Sequence, residues 1–243
     1  MSSKYGKAFY SSVSDRAAAV ASFLAEDFVA AMELESMTDV GCGSATWIEA
    51  FLGQGVKVAH GYDLREALDH VSPGQALDTR VVLHSVDFEH DEVELVASDV
   101  TVCLEVLEHL TRGSADALCE KIIESSNFVL FSAAQPGQGG THHINERPLP
   151  YWLTKFSRGG FAVFDVVRPK LIRHGGFPRY YSLNMFALAK RDSSAYTVLN
   201  AHANPTSPAA PDDMRTRLEK IRFGLIRWIP VSVVTRLSKL LAY

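Results

Sequence analysis

Short apolar runs alternate with helical or irregular segments along most of the chain. Residues 15–32 are rich in alanine and place apolar side chains at helical spacing, which predicts a helix ahead of the first strand. Because strands that alternate with crossover segments form parallel sheets, the runs that follow predict five parallel strands. The first run ends at Val40, and the others cover residues 56–62, 81–86, 100–104 and 127–133.

Two further apolar runs, at residues 161–168 and 182–191, predict the last two strands. The loop between them is rich in Gly, Pro and Arg and is too short and unpatterned for a crossover helix, so we expect these strands to pair antiparallel. The predicted fold class is therefore α/β. Its Rossmann-like seven-stranded sheet would contain five parallel strands and a C-terminal antiparallel pair, flanked by helices.

The turn after the first strand carries the most informative motif, since residues 37–43 read Met-Thr-Asp-Val-Gly-Cys-Gly. Gly41 and Gly43 permit positive φ and expose bare backbone to a ligand, and the helix expected next would direct free N–H groups at that ligand. This strand-turn-helix predicts an adenosine-containing cofactor. A dinucleotide would need a small residue where Thr46 stands, whereas Asp39 suits a cofactor with a positively charged amino acid end.

Carboxylates and an imidazole follow at the ends of later strands. Asp63 ends the second strand, where it can accept hydrogen bonds from both ribose hydroxyls or cap a helix. Glu105, Glu108 and His109 have i, i+3, i+4 spacing, which predicts one helical face that displays all three. Two close carboxylates repel each other, and a divalent cation would offset that repulsion. The alternative is that Glu105 contacts the cofactor, Glu108 caps a helix and His109 packs in the core.

Three segments together resemble a known family. They are residues 38–45, the Glu-Val-Leu-Glu-His run at 105–109, and the loop at 131–146, which places His142 and His143 at the same end of the sheet. Over about residues 14–191 the chain resembles class I S-adenosylmethionine-dependent methyltransferases, in particular small bacterial saccharide and natural-product O-methyltransferases. The Glu-x-x-Glu-His run with a loop histidine also resembles metal-dependent O-methyltransferases that act on vicinal diols, including catechols and the terminal ribose of small RNAs.

The resemblance implies S-adenosyl-L-methionine as the cofactor and Mg²⁺ or Mn²⁺ as the metal. The residues expected to contact the cofactor are Asp39, Gly41, Cys42, Gly43, Asp63, Leu64, Asp87, Phe88 and Leu104. Among these, Asp87 would accept from the adenine amino group while Phe88 covers the ring. The expected metal ligands are Glu105, Glu108, His109 and His143. The expected catalytic residues are Glu105, His143 and His142, the last a candidate general base at a position usually held by glycine.

The expected activity is therefore transfer of a methyl group from S-adenosyl-L-methionine to a hydroxyl of a saccharide or similar polyhydroxylated acceptor, with help from a divalent metal and a histidine base. One alternative is a metal-independent N- or C-methyltransferase of a small metabolite, with His143 as the base. Another is a non-catalytic cofactor-binding subunit that docks through its basic tail. A nicotinamide oxidoreductase is the least favoured alternative.

Length, charge and cysteine content limit the number of domains, the class of partner and the cellular compartment that we expect. A length of 243 residues suits one domain with appendages, and a net charge of −4 gives no reason to expect nucleic acid as a partner. The three cysteines have no metal-site spacing and favour a reducing cytoplasm. We expect neither a signal peptide nor a membrane span, because no apolar run is long enough. The acceptor is expected to be a small molecule or an oligosaccharide, and a homodimer stays open.

The chain is expected to divide into three parts. Residues 1–191 would form the S-adenosylmethionine-binding domain, 192–213 a linker or wrapped loop, and 214–243 a basic amphipathic helical segment. That segment would touch a membrane surface or an anionic partner, or pack on the domain or across a dimer.

Two other sets of side chains allow two interpretations each. Three aromatic side chains would form a lid or sugar-stacking surface, or else pack in the core: Tyr151, Trp152 and Phe156. Three cations would face an anionic acceptor group, or else solvent: Arg168, Arg173 and Arg179.

Overall fold

The structure, a computed structural model, describes residues 7–72 and 78–226. In these residues one sheet contains the strands β1 (Ser36–Val40), β2 (Val58–Asp63), β3 (Val81–Ser85), β4 (Val100–Leu104), β5 (Phe128–Ser132), β6 (Phe161–Phe164) and β7 (Phe186–Lys190). The helices are α1 (Lys7–Met32), α2 (Thr46–Gly53), α3 (Arg65–Leu68), α4 (Arg112–Ser125), α5 (Leu149–Arg158), α6 (Val167–His174), α7 (Arg179–Asn184), α8 (Ser194–His202) and α9 (Arg217–Ile226). A 3₁₀ turn covers Leu107–His109.

The strands lie in the order β3-β2-β1-β4-β5-β7-β6. Strands β1 to β5 run parallel, and β7 is antiparallel to both of its neighbours, β5 and β6. The predicted sheet of five parallel strands and a C-terminal antiparallel pair is therefore confirmed. Asp39 pairs in register with Gly61 on one side and Val102 on the other, so the carboxyl ends of β1, β2 and β4 meet at one edge. A parallel sheet presents its ligand site at that edge.

Helices cover both faces of the sheet. On one face α1, α2, α6 and α8 bury a layer of apolar side chains, and on the other face α4 and α5 bury a second layer. Trp152 and Phe156 of α5 are fully buried in the second layer, so the core interpretation is correct for these two aromatics. Complete burial of a side chain such as phenylalanine contributes about 1.5–3 kcal/mol to stability. Tyr151, their neighbour on the same helix, is only half-buried.

The segment between β6 and β7 is helical, which corrects the prediction of an unpatterned loop. The two strands are shorter than predicted, since β6 ends at Phe164 and β7 begins at Phe186, and α6 and α7 lie between them. Gly175, with φ at 71°, follows the last residue of α6, and Pro178 directly precedes α7. The glycine and proline that suggested a loop are therefore helix boundaries, where both residue types are common.

The C-terminal part of the chain also departs from its expected course. Residues 192–213, expected as a linker or wrapped loop, begin with α8, which buries Ala195 and Leu199 against the core, while residues 203–213 are irregular. In the expected basic segment at 214–243, α9 is helical, and residues 227–243 lie outside the described part of the chain. None of the described helices combines the length and apolar character that a membrane crossing requires.

Candidate active site

The turn between β1 and α2, here called the glycine corner (residues 39–46), follows the sequence prediction closely. Gly41 has φ at +77°, and a Cβ on it would lie 2.4 Å from Cγ2 of Val106, so two separate constraints require glycine. Gly43 has φ at +55°, and no described atom lies within 4 Å of the position its Cβ would take. The N-cap residue of α2 is Ala45, which has no side-chain oxygen to cap the helix. The amides of Gly41 and Cys42 both donate to the carbonyl of Tyr62, at 2.8 and 3.1 Å, so the corner is held against β2 while the space beside Gly43 stays open.

Asp63 is the last residue of β2, and its carboxylate lies against the glycine corner. Its Oδ2 accepts from the backbone N–H of Gly43 at 2.7 Å, and its Oδ1 accepts from that of Leu64 at 2.7 Å. Burial raises the pKa of Asp63 to about 6, although these two amide donors act in the opposite direction. The carboxylate thus links the glycine corner to the end of β2.

Asp39 places a buried carboxylate at the start of the glycine corner. It is 3% exposed, and no described residue makes a hydrogen bond to its Oδ2. Burial raises the pKa of Asp39 to about 8, and the nearby Asp63 carboxylate adds to the rise. A buried carboxylate without a partner is costly, so a ligand that brings a positive charge to this position would be stabilised strongly. The same burial raises the pKa of the Cys42 thiol well above its ordinary value, which keeps that thiol neutral.

The remaining predicted cofactor residues lie on neighbouring strand ends. Asp87 follows β3 by two residues and organises its own turn, because its Oδ1 accepts from the backbone N–H of Glu89 at 2.9 Å and its Oδ2 lies 3.0 Å from Nδ1 of His90. Phe88 is half-buried against the core layer of α4 and α5. Leu104, the last residue of β4, is half-buried against the opposite layer.

The Glu-Val-Leu-Glu-His run does not form the α-helical face that its spacing predicts. Glu105 has φ at 56°, in the left-handed region, and the chain then makes the 3₁₀ turn that includes Glu108 and His109. Only at Arg112 does α4 begin, with the Thr111 side chain as its cap. The left-handed residue takes the chain away from helical geometry directly after β4, so Glu108 and His109 lie on a tight turn instead of a helix.

Glu108, His109 and His143 form what we call the three-ligand cluster, in which one candidate ligand atom from each residue lies within 4.8 Å of the others. Glu108 is fully buried, and neither of its carboxylate oxygens accepts a well-formed hydrogen bond from a described residue. Burial, and after it the charge of Glu105, raises the pKa of Glu108 well above its ordinary value. The backbone N–H groups of Glu108 and Ala134 oppose this rise by less.

This donor set fits a divalent cation. A metal ion would supply the positive charge that the buried Glu108 carboxylate lacks, and carboxylate and imidazole are ordinary ligands of Mn²⁺ and related ions. The rings of His109 and His143 are T-shaped to each other, with centroids 4.8 Å apart, so the edge of one ring meets the face of the other close to the Glu108 carboxylate.

The loop that carries His143 is fixed by backbone and carboxylate contacts. The N–H groups of Ile144 and Asn145 donate to the carbonyl of Glu108 at 2.9 and 3.0 Å, which attaches the loop to the 3₁₀ turn. Glu146 accepts from the backbone N–H groups of two glycines, Gly137 and Gly139, at 2.8 Å each.

A glycine also makes room for the His143 ring. A Cβ on Gly140 would lie 2.2 Å from Nε2 of His143, so the ring packs directly on the glycine backbone. His142, in contrast, is exposed and has φ at 61°. That conformation explains why glycine is common at such a position, and it directs the two adjacent histidines to different surroundings.

Glu105 lies beside the three-ligand cluster and has its own partners. Its Oε2 accepts from the amide of Gln138 at 2.6 Å, and its Oε1 accepts from the amide of Asn184 at 3.3 Å. Asn184 also donates to Gln138 at 2.7 Å and accepts from Gln135 at 2.9 Å. Glu105 was expected as a fourth ligand; each of its oxygens accepts one hydrogen bond from an amide, and it is not part of the set within 4.8 Å.

Several residues of this site could not be found from the sequence pattern alone. Gln138 lies in the loop after β5 and Asn184 ends α7, so their meeting with Glu105 depends on the packing of α7 against β5. Glu146 had a usable signal, because it stands three residues after His143 in the same motif. Of the three arginines expected to face an anionic acceptor or solvent, Arg173 is exposed and Arg179 pairs with Glu219 at 2.7 Å. Arg168 is buried and paired with Asp165 at 2.5 Å, which neither of its two interpretations allowed.

Comparison with known proteins supports the fold. No protein-family model matches the chain, and no curated protein matches its sequence. Among solved structures, a protein from Nostoc punctiforme assigned as an O-methyltransferase is 14% identical, with a TM-score of 0.59 over 75% of this chain and 59% of that one. The chain has a class I methyltransferase fold.

Two further structures agree with this result. TnmH is 16% identical, with a TM-score of 0.53 over 75% of this chain and 57% of its own. The methyltransferase domain of the bacterial protein CtHen1-C is 15% identical, with a TM-score of 0.53 over 69% of this chain and 95% of that domain. The chain therefore spans less than two-thirds of the length of the first two structures and nearly all of the third. At these identities the likeness establishes the fold.

Proposed function

We propose that the chain is an S-adenosylmethionine-dependent O-methyltransferase that acts on a polyhydroxylated acceptor with the help of a divalent cation. The observation that carries this proposal is the contact between Gly41 and Val106. Val106 is the residue directly before the 3₁₀ turn of the three-ligand cluster, so that cluster lies next to the glycine corner. Residues 1–191 would form the domain that contains both.

The glycine corner and the strand ends around it would hold the cofactor, which supplies a methyl group on a sulfonium. Asp39 would pair with the ammonium of its amino acid end, and this pairing would relieve the buried, unpartnered carboxylate. Asp63 would accept from the ribose hydroxyls, and Gly41 and Gly43 would contact the cofactor through backbone. Asp87 would accept from the adenine amino group. The apolar walls around the nucleoside would come from Cys42, Leu64, Phe88 and Leu104.

The three-ligand cluster would hold the cation, which acts as a Lewis acid and lowers the pKa of a bound hydroxyl. Two imidazoles and one carboxylate favour Mn²⁺ over Mg²⁺, because Mg²⁺ prefers oxygen ligands. Glu105 would complete the site through the Gln138 and Asn184 amides that it orients, or as a fourth ligand once those amides move. Such a site suits an acceptor with two neighbouring hydroxyls, and we therefore propose a saccharide or a similar polyol.

Proton removal falls to a histidine outside the ligand set. Because His143 is directed into the cluster, the exposed His142 is the candidate general base for the acceptor hydroxyl. Its left-handed backbone holds the imidazole at the outer side of the loop, where an acceptor would enter. This role predicts that His142→Ala lowers kcat while Mn²⁺ and cofactor affinities stay close to those of the parent protein.

The test combines binding and turnover. S-adenosylhomocysteine should bind the purified protein in calorimetry, and methyl transfer to a panel of polyols should require Mn²⁺ or Mg²⁺ and stop in EDTA. Glu108→Gln serves as the matched variant, because it removes the cluster carboxylate and keeps the side-chain shape. Absence of S-adenosylhomocysteine binding would rule out the proposal. Binding without turnover on any acceptor would favour a non-catalytic cofactor-binding subunit.

One observation favours a second candidate, a metal-independent methyltransferase acting on nitrogen or carbon of a small metabolite. Nδ1 of His143 lies 3.0 Å from Oε1 of Glu146, and an imidazole oriented by a carboxylate is also the arrangement of a general base. The buried, unpartnered Glu108 is not explained by that candidate. Activity that survives EDTA and is lost in His143→Gln would select it over the metal-dependent reaction.

A further inference from the structure

A groove of about 430 Å³ lies between α4 and α5, on the side of the sheet away from α1 and α2. None of the roles proposed above uses this groove, which we call the cationic groove. Its lining residues are Arg112, Asp116, Pro150, Tyr151, Thr154, Lys155 and Arg158.

Cations surround the aromatic ring at the mouth of the cationic groove. The charged groups of Arg112, Arg147 and Lys155 lie 5.8, 5.5 and 5.4 Å from the centroid of the Tyr151 ring. Each distance allows a cation–π contact, and together they hold three positive charges around one half-buried side chain. A cluster of like charges is costly to assemble unless an anion offsets it.

The protein itself offsets only part of this charge. Asp116 accepts from the Tyr151 hydroxyl at 2.7 and 2.8 Å and lies 3.1 Å from Nζ of Lys155 and 3.8 Å from Nε of Arg112. No other acid lines the groove. Arg158 also lines the groove, and Arg147 contacts the Tyr151 ring beside it, so four cations and one carboxylate leave a local surplus of three positive charges in a chain whose net charge is −4.

The groove begins close to the three-ligand cluster. Arg112 stands three residues after His109, so their Cα atoms are at most about 11 Å apart. On the loop side, Nε of Arg147 donates to Oδ1 of Asn145 at 2.8 Å, and Asn145 donates to the carbonyl of Leu107 at 3.3 Å. This series of contacts joins the cations to the 3₁₀ turn that carries Glu108. An acceptor that engages both places would have to span this distance.

We propose that the cationic groove binds a phosphate group of the acceptor, so that the substrate is a phosphorylated polyol such as a sugar phosphate. This substrate assignment rests on the proposed methyltransferase function, whereas phosphate binding by the groove does not. A phosphate monoester carries close to two negative charges at neutral pH, which matches the surplus better than the single charge of a carboxylate. Guanidinium groups also bind phosphate oxygens in pairs, with geometric specificity.

The groove favours a small phosphorylated acceptor over a nucleic acid. Long phosphodiester chains are bound by extended basic surfaces, and their affinity depends on many phosphate contacts. Here the cations surround a single tyrosine, and the chain as a whole is acidic. A short RNA duplex therefore belongs in the test as a competitor.

The binding experiment uses ribose 5-phosphate, ribose and glucuronate as probes in calorimetry with the full chain. We expect ribose 5-phosphate to bind at least tenfold more tightly than either of the others, and inorganic phosphate to compete with it. The double variant Arg112→Gln, Lys155→Gln should lose this preference. Arg173→Gln, which changes an exposed arginine on α6 at the other face of the sheet, should keep it.

Three outcomes would overturn the proposal. They are equal binding of ribose and ribose 5-phosphate, equal binding of glucuronate, and a phosphate preference that the double variant retains. An RNA duplex that binds more tightly than ribose 5-phosphate would overturn the small-acceptor assignment. The single variant Arg112→Gln gives a second measurement if the double variant melts early, because the Arg112 side chain is 66% exposed.

An activity experiment separates this proposal from the proposed function. With a phosphorylated acceptor the double variant should raise KM at least tenfold and leave kcat nearly unchanged, while an unphosphorylated acceptor should show no change in KM. If no acceptor is methylated and S-adenosylhomocysteine does not bind, the methyltransferase proposal fails, yet the phosphate titrations still decide what the groove binds.

Discussion

Nδ1 of His143 lies 3.0 Å from Oε1 of Glu146, and the two side chains are 7% and 1% exposed. Since the carboxylate can only accept, the ring N–H at Nδ1 donates, and the lone pair of Nε2 is directed elsewhere. Nε2 is also the atom that packs on Gly140, which fixes the ring plane from the opposite side. A histidine held in this way has the tautomer and the orientation that a metal ligand needs.

Glu146→Gln is expected to weaken Mn²⁺ binding roughly 10- to 100-fold, because the carboxylate that sets the His143 tautomer is lost. The affinity for S-adenosylhomocysteine should change little, since Glu146 lies away from the glycine corner. Calorimetric titration of both ligands measures the two effects in one preparation. Glu92→Gln, at an exposed acid, is the matched control. Equal loss of both affinities would point to general disruption of the loop instead.

Glu108→Gln is expected to remove metal binding and at the same time to raise the melting temperature of the metal-free protein at pH 8. Glu108 is a buried carboxylate without a partner, so its folded-state pKa is raised, and the stability of the metal-free fold falls as pH rises through that pKa. A neutral amide of the same shape avoids this cost. Thermal melts at pH 6 and pH 8 check the prediction, and a variant that is less stable than the parent at pH 8 would contradict it.

Cofactor affinity should depend on pH through Asp39. Its pKa rises from an ordinary 3.8 to about 8 in the fold, so between these values the folded protein keeps a proton that the unfolded chain has released. The stability of the ligand-free protein should therefore decrease from pH 6 to pH 8. The ammonium group of a ligand favours the ionised carboxylate, so S-adenosylhomocysteine should bind more tightly over the same range.

Asp39→Asn supplies the control for that pH dependence. The amide cannot titrate, so the increase in S-adenosylhomocysteine affinity between pH 6 and pH 8 should largely disappear, and the affinity at pH 8 should fall at least tenfold. Asp63 has a pKa of about 6 and leaves a smaller dependence at the lower end of the range. A variant that keeps the full pH dependence would assign it to another group.

Gly140→Ala is expected to abolish tight Mn²⁺ binding while the protein stays folded. The backbone of Gly140 has no positive φ, and the nearest described atoms to a new methyl group belong to the ring of His143, whose Nε2 would be 2.2 Å away. The ring must turn away, and the cluster loses a ligand. Gly113→Ala in α4 is the control, because its Cβ meets no described atom within 4 Å, and it should leave Mn²⁺ binding unchanged.

The local motif at the glycine corner could be predicted from the sequence because its requirements are local. Gly41, Gly43 and Asp63 are specified by backbone conformation and by strand ends, both of which have clear sequence signals. The convergence of Glu108, His109 and His143 was also predictable, since strand ends of a parallel sheet meet at one edge. The prediction of a helical face at Glu105, Glu108 and His109 was wrong. Glu105 has a left-handed backbone, and this conformation depends on tertiary packing that sequence spacing does not encode.

Sequence patterns could not identify the amide side chains that donate hydrogen bonds to Glu105. Gln138 and Asn184 are 46 positions apart and meet only because α7 packs near the loop after β5. The cationic groove was missed for a similar reason, since Arg112, Arg147 and Lys155 belong to three segments and converge on one tyrosine. The sequence pattern pointed instead to Arg168, Arg173 and Arg179, which lie close together in the sequence near the last two strands.

The contact of Gly41 with Val106 has a thermodynamic consequence. The Val106 side chain lies between the proposed methyl-donor pocket and the proposed cation site, and its Cγ2 would be 2.4 Å from a Cβ on Gly41. A shift of that valine when one ligand binds must be felt by the other, since a close-packed interior transmits small displacements. Linkage then requires that donor and cation change each other's dissociation constants by one and the same factor.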